Sequence, residues 1–264
     1  MVEPKYKIVN ITDENVDEYD LFCLKSRFKE EGYVNKVKWF RKRFKEGLRI
    51  KLLHVYEGEK RGFKSRGFIE YVPSEYTWRG IEAKGWMVIH CIWVVGKNKK
   101  QGYGSKLLEE CFKDAKGMNG VAVVISRKNW LPNESLFMKH GFEKADEISP
   151  LQLYVKKFSD NIAFPGFLPI SKKKLNNHGK GLTILESHQC PYAYNSVKII
   201  KQMTESAKIQ IKIKHIPSCQ DAQNNGFHPY GTFCVLLNDR VISYYPGNLR
   251  EVREALRILR EVKK

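Results

Sequence analysis

The sequence has no Cys-x-x-Cys pair, no apolar stretch of membrane-spanning length and no basic arm at either end. Each absence excludes a class of protein. Its six cysteines (Cys23, Cys91, Cys111, Cys190, Cys219, Cys234) are scattered, so neither a secreted disulfide scaffold nor a zinc ribbon is expected, and reduced thiols in a cytoplasmic protein are. The longest apolar stretch, Trp86–Val95, is interrupted by His90 and falls well short of the roughly 20 residues a membrane helix needs. The opening MVEPKYKIVN lacks the apolar core of an export signal. Acidic residues are scarce: 29 Asp+Glu face 47 Lys+Arg, giving +18 over 264 residues. The excess divides evenly, +9 in residues 1–160 and +9 in residues 161–264. An evenly spread charge suits a polyanionic cofactor as well as a phosphate backbone. With no RRM or KH signature, nucleic acid is not an expected partner.

The apolar content, 42% with 12% aromatic, suffices for packed cores, and the length suggests two domains. Tyr6–Ile11 reads as a strand, and a Thr12/Asp13 cap points to a helix through Tyr19, Leu21, Leu24 and Phe28. A second helix is expected over Val37–Phe44. Ile50–Tyr56 and Gly67–Val72, separated by a polar turn, form a hairpin pattern. Trp86–Val95 has the character of a strand buried on both faces, and a glycine-containing loop and a helix through Leu107, Leu108, Cys111 and Ala115 follow it. Gly120–Ser126 and Leu151–Phe158 read as strands and Glu134–His140 as a short helix. This mixture predicts an α/β fold. Residues 159–180, with two prolines and a lysine-rich half, read as a linker between domains 1–158 and 181–264. Beyond it the order is strand, helix, strand, two strands and a closing helix.

The strongest chemical signal is Gly102-Tyr103-Gly104-Ser105-Lys106 at a strand-to-helix junction. Free N–H groups at a helix N-terminus form an anion site, glycines let the backbone approach a pyrophosphate, and Lys97, Lys99, Lys100 and Lys106 add positive charge. It is neither a Walker loop nor a full dinucleotide fingerprint.

In this context, Val94 followed eight residues later by Gly102-Tyr103-Gly104-Ser105 resembles the acetyl-CoA loop of the GNAT N-acetyltransferases, Arg/Gln-x-x-Gly-x-Gly/Ala after the fourth strand. Lys99 holds the first position. The resemblance covers residues 1–158 and includes Leu136-Phe137-Met138-Lys139-His140-Gly141-Phe142, similar to the family's late helix. It implies a mixed central sheet flanked by helices and acetyl-CoA as cosubstrate. The transfer goes to an amine by direct attack on the thioester. The implied cofactor-binding residues are Trp93, Val94, Val95, Lys99, Lys100, Gln101, Gly102, Tyr103, Gly104, Ser105, Lys106, Asn133 and Phe137. The N–H of Val94 would polarise the thioester carbonyl.

His90 falls where the arylalkylamine acetyltransferases carry a catalytic histidine, on the strand face shared with Ile92 and Val94, and an imidazole suits general-base work. A purely structural buried histidine is the competing reading, and Glu70 and Glu82 are alternative bases. Phe137 stands where many family members have the tyrosine that protonates the leaving thiolate, so Tyr103 or solvent is expected to serve.

In the C-terminal half, Ser187-His188-Gln189-Cys190-Pro191-Tyr192-Ala193 follows a strand and opens a helix, resembling the active turn of the thioredoxin-like fold. The resemblance implies a reactive thiol at Cys190, lowered in pKa by the helix dipole. The second cysteine is replaced by Ala193, so the expected role is recognition of substrate or partner, not dithiol chemistry. A soft-metal reading of Cys190 with His188, Cys219 or His228 is the alternative, and otherwise no metal is expected. A GNAT domain followed by such a domain is similar to the YoaP-type acetyltransferase subfamily. The reading opposed to catalysis is a non-catalytic acyl-CoA-binding, thiol- or metal-responsive sensor.

Overall fold

The computed structural model describes residues 6–126, 132, 134–170, 181–224, 228–238, 240–247 and 249–262. They divide into two compact units. The first comprises Met1–Lys25, Phe40–Thr77 and Glu82–Phe167, and the second Ser26–Trp39, Trp78–Ile81 and Leu168–Lys264. Of the segment expected as a linker, residues 171–180 lie outside the described residues.

The first unit is built on a seven-stranded sheet. Its strands are β1 (Tyr6–Ile11), β2 (Arg49–Tyr56), β3 (Phe63–Pro73), β4 (Met87–Val94), β5 (Gly120–Ile125), β6 (Glu143–Ile148) and β7 (Leu151–Lys157). Their order is β1-β2-β3-β4-β5-β7-β6. All neighbours are antiparallel except β4 and β5, which run parallel, so the sheet is mixed. The apolar run expected at the centre of a sheet is the fourth of seven strands. The hairpin between β2 and β3 is also present.

Helix α2 (Tyr103–Asp114) covers one face of this sheet through Leu107, Leu108 and Cys111, with Ala115 just past its end. They pack with Leu53, Val55, Ile69, Tyr71, Ile89, Val121 and Val123 in one core cluster. Each such aliphatic side chain contributes about 1.5–3 kcal/mol by leaving water. Polar contacts fix the far end of the helix. Asp114 accepts from the Tyr71 hydroxyl at 2.6 Å and pairs with Lys51 at 2.9 Å.

The helix expected through Tyr19 and Phe28 is not formed. Residues 13–30 make turns and a 3-10 segment, Lys25–Arg27. The cause is local: Asp20 Oδ1 accepts the Phe22 N–H at 2.8 Å, and Phe22 and Leu24 adopt left-handed φ values of 67° and 57°. A side chain that satisfies a nearby amide competes with the helix. The helix expected at Val37 begins earlier, as α1 (Glu31–Phe44).

The second unit has a four-stranded sheet of β8 (Leu182–Glu186), β9 (Ile211–His215), β10 (Phe233–Leu237) and β11 (Arg240–Ser243), in the order β9-β8-β10-β11. β8 and β9 are parallel; β8–β10 and β10–β11 are antiparallel. Helix α4 (Tyr192–Ser206) follows β8 with Pro191 at its start, a position where the missing N–H costs nothing. The short α3 (Glu134–Lys139) belongs to the first unit, and α5 (Cys219–Asn224) and α6 (Arg250–Val262) belong to the second. No helix among the described residues is long and apolar enough to cross a membrane.

Candidate active site

The centre of the first sheet carries an irregularity at His90. Along β3 and β4 the register steps from Glu70↔Cys91 to Tyr71↔Ile89, leaving His90 as one extra residue on β4. This is a β-bulge, and it shifts the phase of side-chain alternation. Ile89 and Ile92 consequently both enter the core cluster under α2. His90 projects to the opposite face, beside Glu70, whose neighbours Ile69 and Tyr71 belong to that cluster. The expectation that His90 shares a face with Ile92 and Val94 is therefore corrected. Strict two-residue periodicity holds only for an uninterrupted strand.

On that face three buried polar groups meet. His90 Nε2 lies 3.1 Å from Thr77 Oγ1, and its Nδ1 lies 3.4 Å from Glu70 Oε1. The three residues are 2%, 0% and 1% exposed for His90, Thr77 and Glu70. Glu70, expected only as an alternative base, is thus a neighbour of the principal candidate. Thr77 carries no motif and was not anticipated. Glu82, unlike these three, is exposed.

The bulge also marks where two central strands part. β4 and β5 pair through Met87↔Val121, Val88↔Ala122 and Ile89↔Val123. Among the described residues no rung follows, although β4 continues to Val94 and β5 to Ile125. The Val95 N–H donates to Arg66 O at 2.9 Å, on the β3 side. Alternation then directs the Val94 N–H toward the open side facing β5. Trp93, Val94 and Val95 are half-buried along this edge.

The opening leads toward the glycine loop. Gly96, Lys100 and Gly102 have left-handed φ values of 58°, 60° and 79°, and Gly102 is the N-cap residue of α2. No side chain caps this helix and no acidic residue occupies its first turn. The first intrahelical bond runs from the Lys106 N–H to Gly102 O, so the amides of Tyr103, Gly104 and Ser105 precede the ladder. A Cβ on Gly102 would meet nothing within 4 Å, whereas one on Gly104 would lie 3.2 Å from Leu136 Cδ2. Gly102 is thus favoured by backbone conformation, and at Gly104 the close approach of α3 leaves room for little more than a methyl group.

Side chains shape the loop further. Gln101 donates to Lys97 O at 2.7 Å, and Ser105 Oγ lies 2.7 Å from His140 Nε2. Burial pushes the His140 pKa down, so His140 is a neutral partner for that hydroxyl near pH 7. Tyr103 sets its ring edge-on to Tyr6 at 5.5 Å. The expected lysines are partly engaged: Lys106 pairs with Glu109 at 3.1 Å, Lys97 lies 3.9 Å from Glu57, and Lys99 sits over the Trp93 ring at 5.3 Å. Lys100 is exposed. Phe137 is 0% exposed and packs on Phe142 at 5.1 Å, as part of the core. Asn133 lies outside the described residues.

In the second unit Cys190 is buried just ahead of α4, and its carbonyl accepts the Ala193 N–H at 3.0 Å. The metal alternative grouped it with His188, Cys219 or His228, and the structure arranges these residues differently. Cys219 is buried, and His228 stacks on Tyr244 at 3.8 Å, its pKa pushed down to about 3 by burial and then by Arg79. His188 instead stands against His215, with ring centroids 4.4 Å apart. His215 Nδ1 is 3.0 Å from Glu186 Oε1.

No protein-family model matches the chain. The chain is 29% identical over 257 residues to a Bacillus subtilis (strain 168) protein named as the N-acetyltransferase YoaP, covering 95% of this chain and 98% of that one. Among solved structures, the Campylobacter jejuni N-acetyltransferase PseH in complex with acetyl coenzyme A is 16% identical, with 58% of this chain and 99% of that one covered at a TM-score of 0.40. The PaiA N-acetyltransferase of Thermoplasma acidophilum in complex with coenzyme A is also 16% identical, with the same coverages at a TM-score of 0.37.

Proposed function

We propose that the chain is an acetyl-CoA-dependent N-acetyltransferase of the GNAT type, its catalytic part lying within residues 1–158. The observation that carries this reading is the divergence of β4 from β5 after Ile89, next to an uncapped helix N-terminus at Gly102. The similarity to YoaP along nearly the whole of both chains supports it.

The residues fit the cosubstrate. Open space at Gly102, amides at Tyr103–Ser105 without intrahelical acceptors and a first turn free of carboxylates suit a pyrophosphate. Lys99 and Lys100 add charge, and the edge of Trp93–Val95 offers backbone groups to an extended chain. The Val94 N–H serves as a fixed donor to a developing oxyanion. When bound, acetyl-CoA supplies the activated acyl group.

His90 is the proposed base, with the Glu70 carboxylate 3.4 Å from Nδ1 and the Thr77 hydroxyl 3.1 Å from Nε2. Because the imidazole is closed to solvent, the amine proton reaches it through Thr77 or a water. Phe137 donates nothing, so Tyr103 or solvent returns a proton to the thiolate. The second unit contributes recognition of the acceptor or of a partner. Its strand order, with β8 and β9 parallel and β10 and β11 antiparallel, supports a thioredoxin-like reading in which Cys190 occupies the first cysteine position.

The buried hydrocarbon of Phe137 favours a second reading, acyl-CoA binding without turnover. Calorimetry with acetyl-CoA, then mass spectrometry for acetylated products across an amine library, separates the two. Saturable binding with a mass gain of one acetyl group on any amine supports the enzyme. Binding without product supports the sensor, and no binding overturns both.

A further inference from the structure

The second unit brings together three side chains that belong to no part of the acetyl-transfer reading. Glu186 and His215 face each other directly in the register of the parallel strands β8 and β9. His188 follows Glu186 by two residues, in the turn just past the end of β8. Backbone pairing therefore sets the separation of two of these residues, and chain geometry delivers the third. The outcome is a cluster in which the donor atoms of Glu186, His188 and His215 lie within 4.8 Å of one another. Among the described residues it is the one such group.

We infer that Glu186, His188 and His215 form a binding site for a divalent zinc-class cation at the end of β8 and β9. Two imidazoles and one carboxylate are borderline ligands that suit Zn²⁺ and its neighbours, whereas Ca²⁺ and Mg²⁺ favour all-oxygen shells. Bonds of about 2.0–2.2 Å in a tetrahedron place donors about 3.3 Å apart. The 3.0 Å between Glu186 Oε1 and His215 Nδ1 is close to that already. His188, held by a turn and only half-buried, closes the remainder by a small side-chain movement.

The surroundings add charge of both signs. After burial, Glu186 and His215, the groups bearing on His188 are Glu31 and then Lys38 from α1, of opposite sign. Three protein ligands leave one tetrahedral position open, the pattern of a site that takes water or an external ligand. No cysteine belongs to the cluster. This differs from the soft-metal alternative in its ligand set, with oxygen and nitrogen in place of sulfur.

The test uses the full chain stripped with EDTA and dialysed. Zn²⁺ is titrated by calorimetry, and Co²⁺ is followed by its visible absorption. We expect one saturable equivalent and a tetrahedral Co²⁺ spectrum without thiolate charge-transfer bands. His188→Gln and His215→Gln should each weaken Zn²⁺ binding at least tenfold, and Glu186→Gln less. Thermal unfolding without metal should match wild type, and the rise in Tm caused by Zn²⁺ should disappear in the His variants. Absence of saturable binding overturns the site, as does binding unchanged in the double His variant. A strong thiolate-to-cobalt band would move the metal to a cysteine set and overturn the ligand assignment.

Discussion

Replacing Gly102 with Asp tests the anion site, provided the backbone cost is separated from the electrostatic one. Gly102 has φ 79°, a left-handed conformation that costs a residue with a Cβ about 1–2 kcal/mol. Sterically the site is permissive, because nothing lies within 4 Å of an added Cβ. Gly102→Ala therefore carries the backbone cost alone. Gly102→Asp carries the same cost plus a carboxylate, and at the N-terminus of a helix that charge helps the fold by about 0.3–1 kcal/mol. Folding stability should thus be equal to or higher than that of the Ala variant. Ligand binding should move the other way. A carboxylate about 6 Å from a phosphate, at an effective dielectric near 20, is disfavoured by roughly 2–3 kcal/mol before screening. That corresponds to acetyl-CoA affinity about 30- to 150-fold weaker than in Gly102→Ala, with the gap narrowing as salt is raised. Isothermal calorimetry at two ionic strengths, with urea unfolding of both variants, reads each quantity. Equal affinities for the Asp and Ala variants would refute the placement of a pyrophosphate at this helix start.

Three further outcomes follow. If His90 is the base, His90→Gln should remove the acidic limb of the kcat/KM profile, so that the wild-type advantage is largest at high pH and shrinks as pH falls; a small, pH-independent loss would make His90 structural. For stability, the His228 pKa of about 3 lies below an unfolded value near 6.5, so the neutral native form is fully favoured above pH 6.5 and loses ground as pH falls toward 3. Between pH 7.5 and 5 that amounts to about 2 kcal/mol, which urea unfolding should show in wild type and not in His228→Gln. Gly104→Ala should be nearly neutral, since about 1 kcal/mol of helix propensity offsets the 3.2 Å approach to Leu136, whereas Gly104→Val should cost about 1–3 kcal/mol; equal Tm values for the two would refute the packing of α3 on this glycine.

The elements that place the site were legible where local signals were dense. A ten-residue apolar run, a glycine turn and a helix with apolar residues at 107, 108, 111 and 115 each correspond to an element of the structure. Sparse or misleading signals gave less. β6, Glu143–Ile148, is a half-exposed edge strand with four charged residues in six, and neither its composition nor its alternation distinguishes it from a loop. At residues 12–28 the apolar spacing suggested a helix, but the Asp20 bond to Phe22 outweighs it. The partners of the candidate residues were the least legible. Thr77 reaches His90 across 13 positions, and His215 meets Glu186 across 29, through strand registers that a single sequence does not display.

The extra residue at His90 accounts for two properties of the site at once. Without it, Ile89 and Ile92 would fall on opposite faces, and one of them would leave the core under α2, a loss of about 1.5–3 kcal/mol. With it, both stay in the core while an imidazole turns to Glu70 and Thr77. A bulge also sharpens local twist, and β4 stops pairing with β5 at the residue before it. Among the described residues, the rungs of strand pairing between β4 and β5 end at this opening, and each backbone hydrogen bond of such a ladder is worth about 0.5–1.5 kcal/mol. An extended ligand with its own amides could pair with this edge as a strand does, and its phosphates would lie toward the uncapped start of α2. A single inserted residue thus couples the polar cluster to the opening, which is why the roles proposed for His90 and the Val94 N–H should be lost together when the bulge is removed.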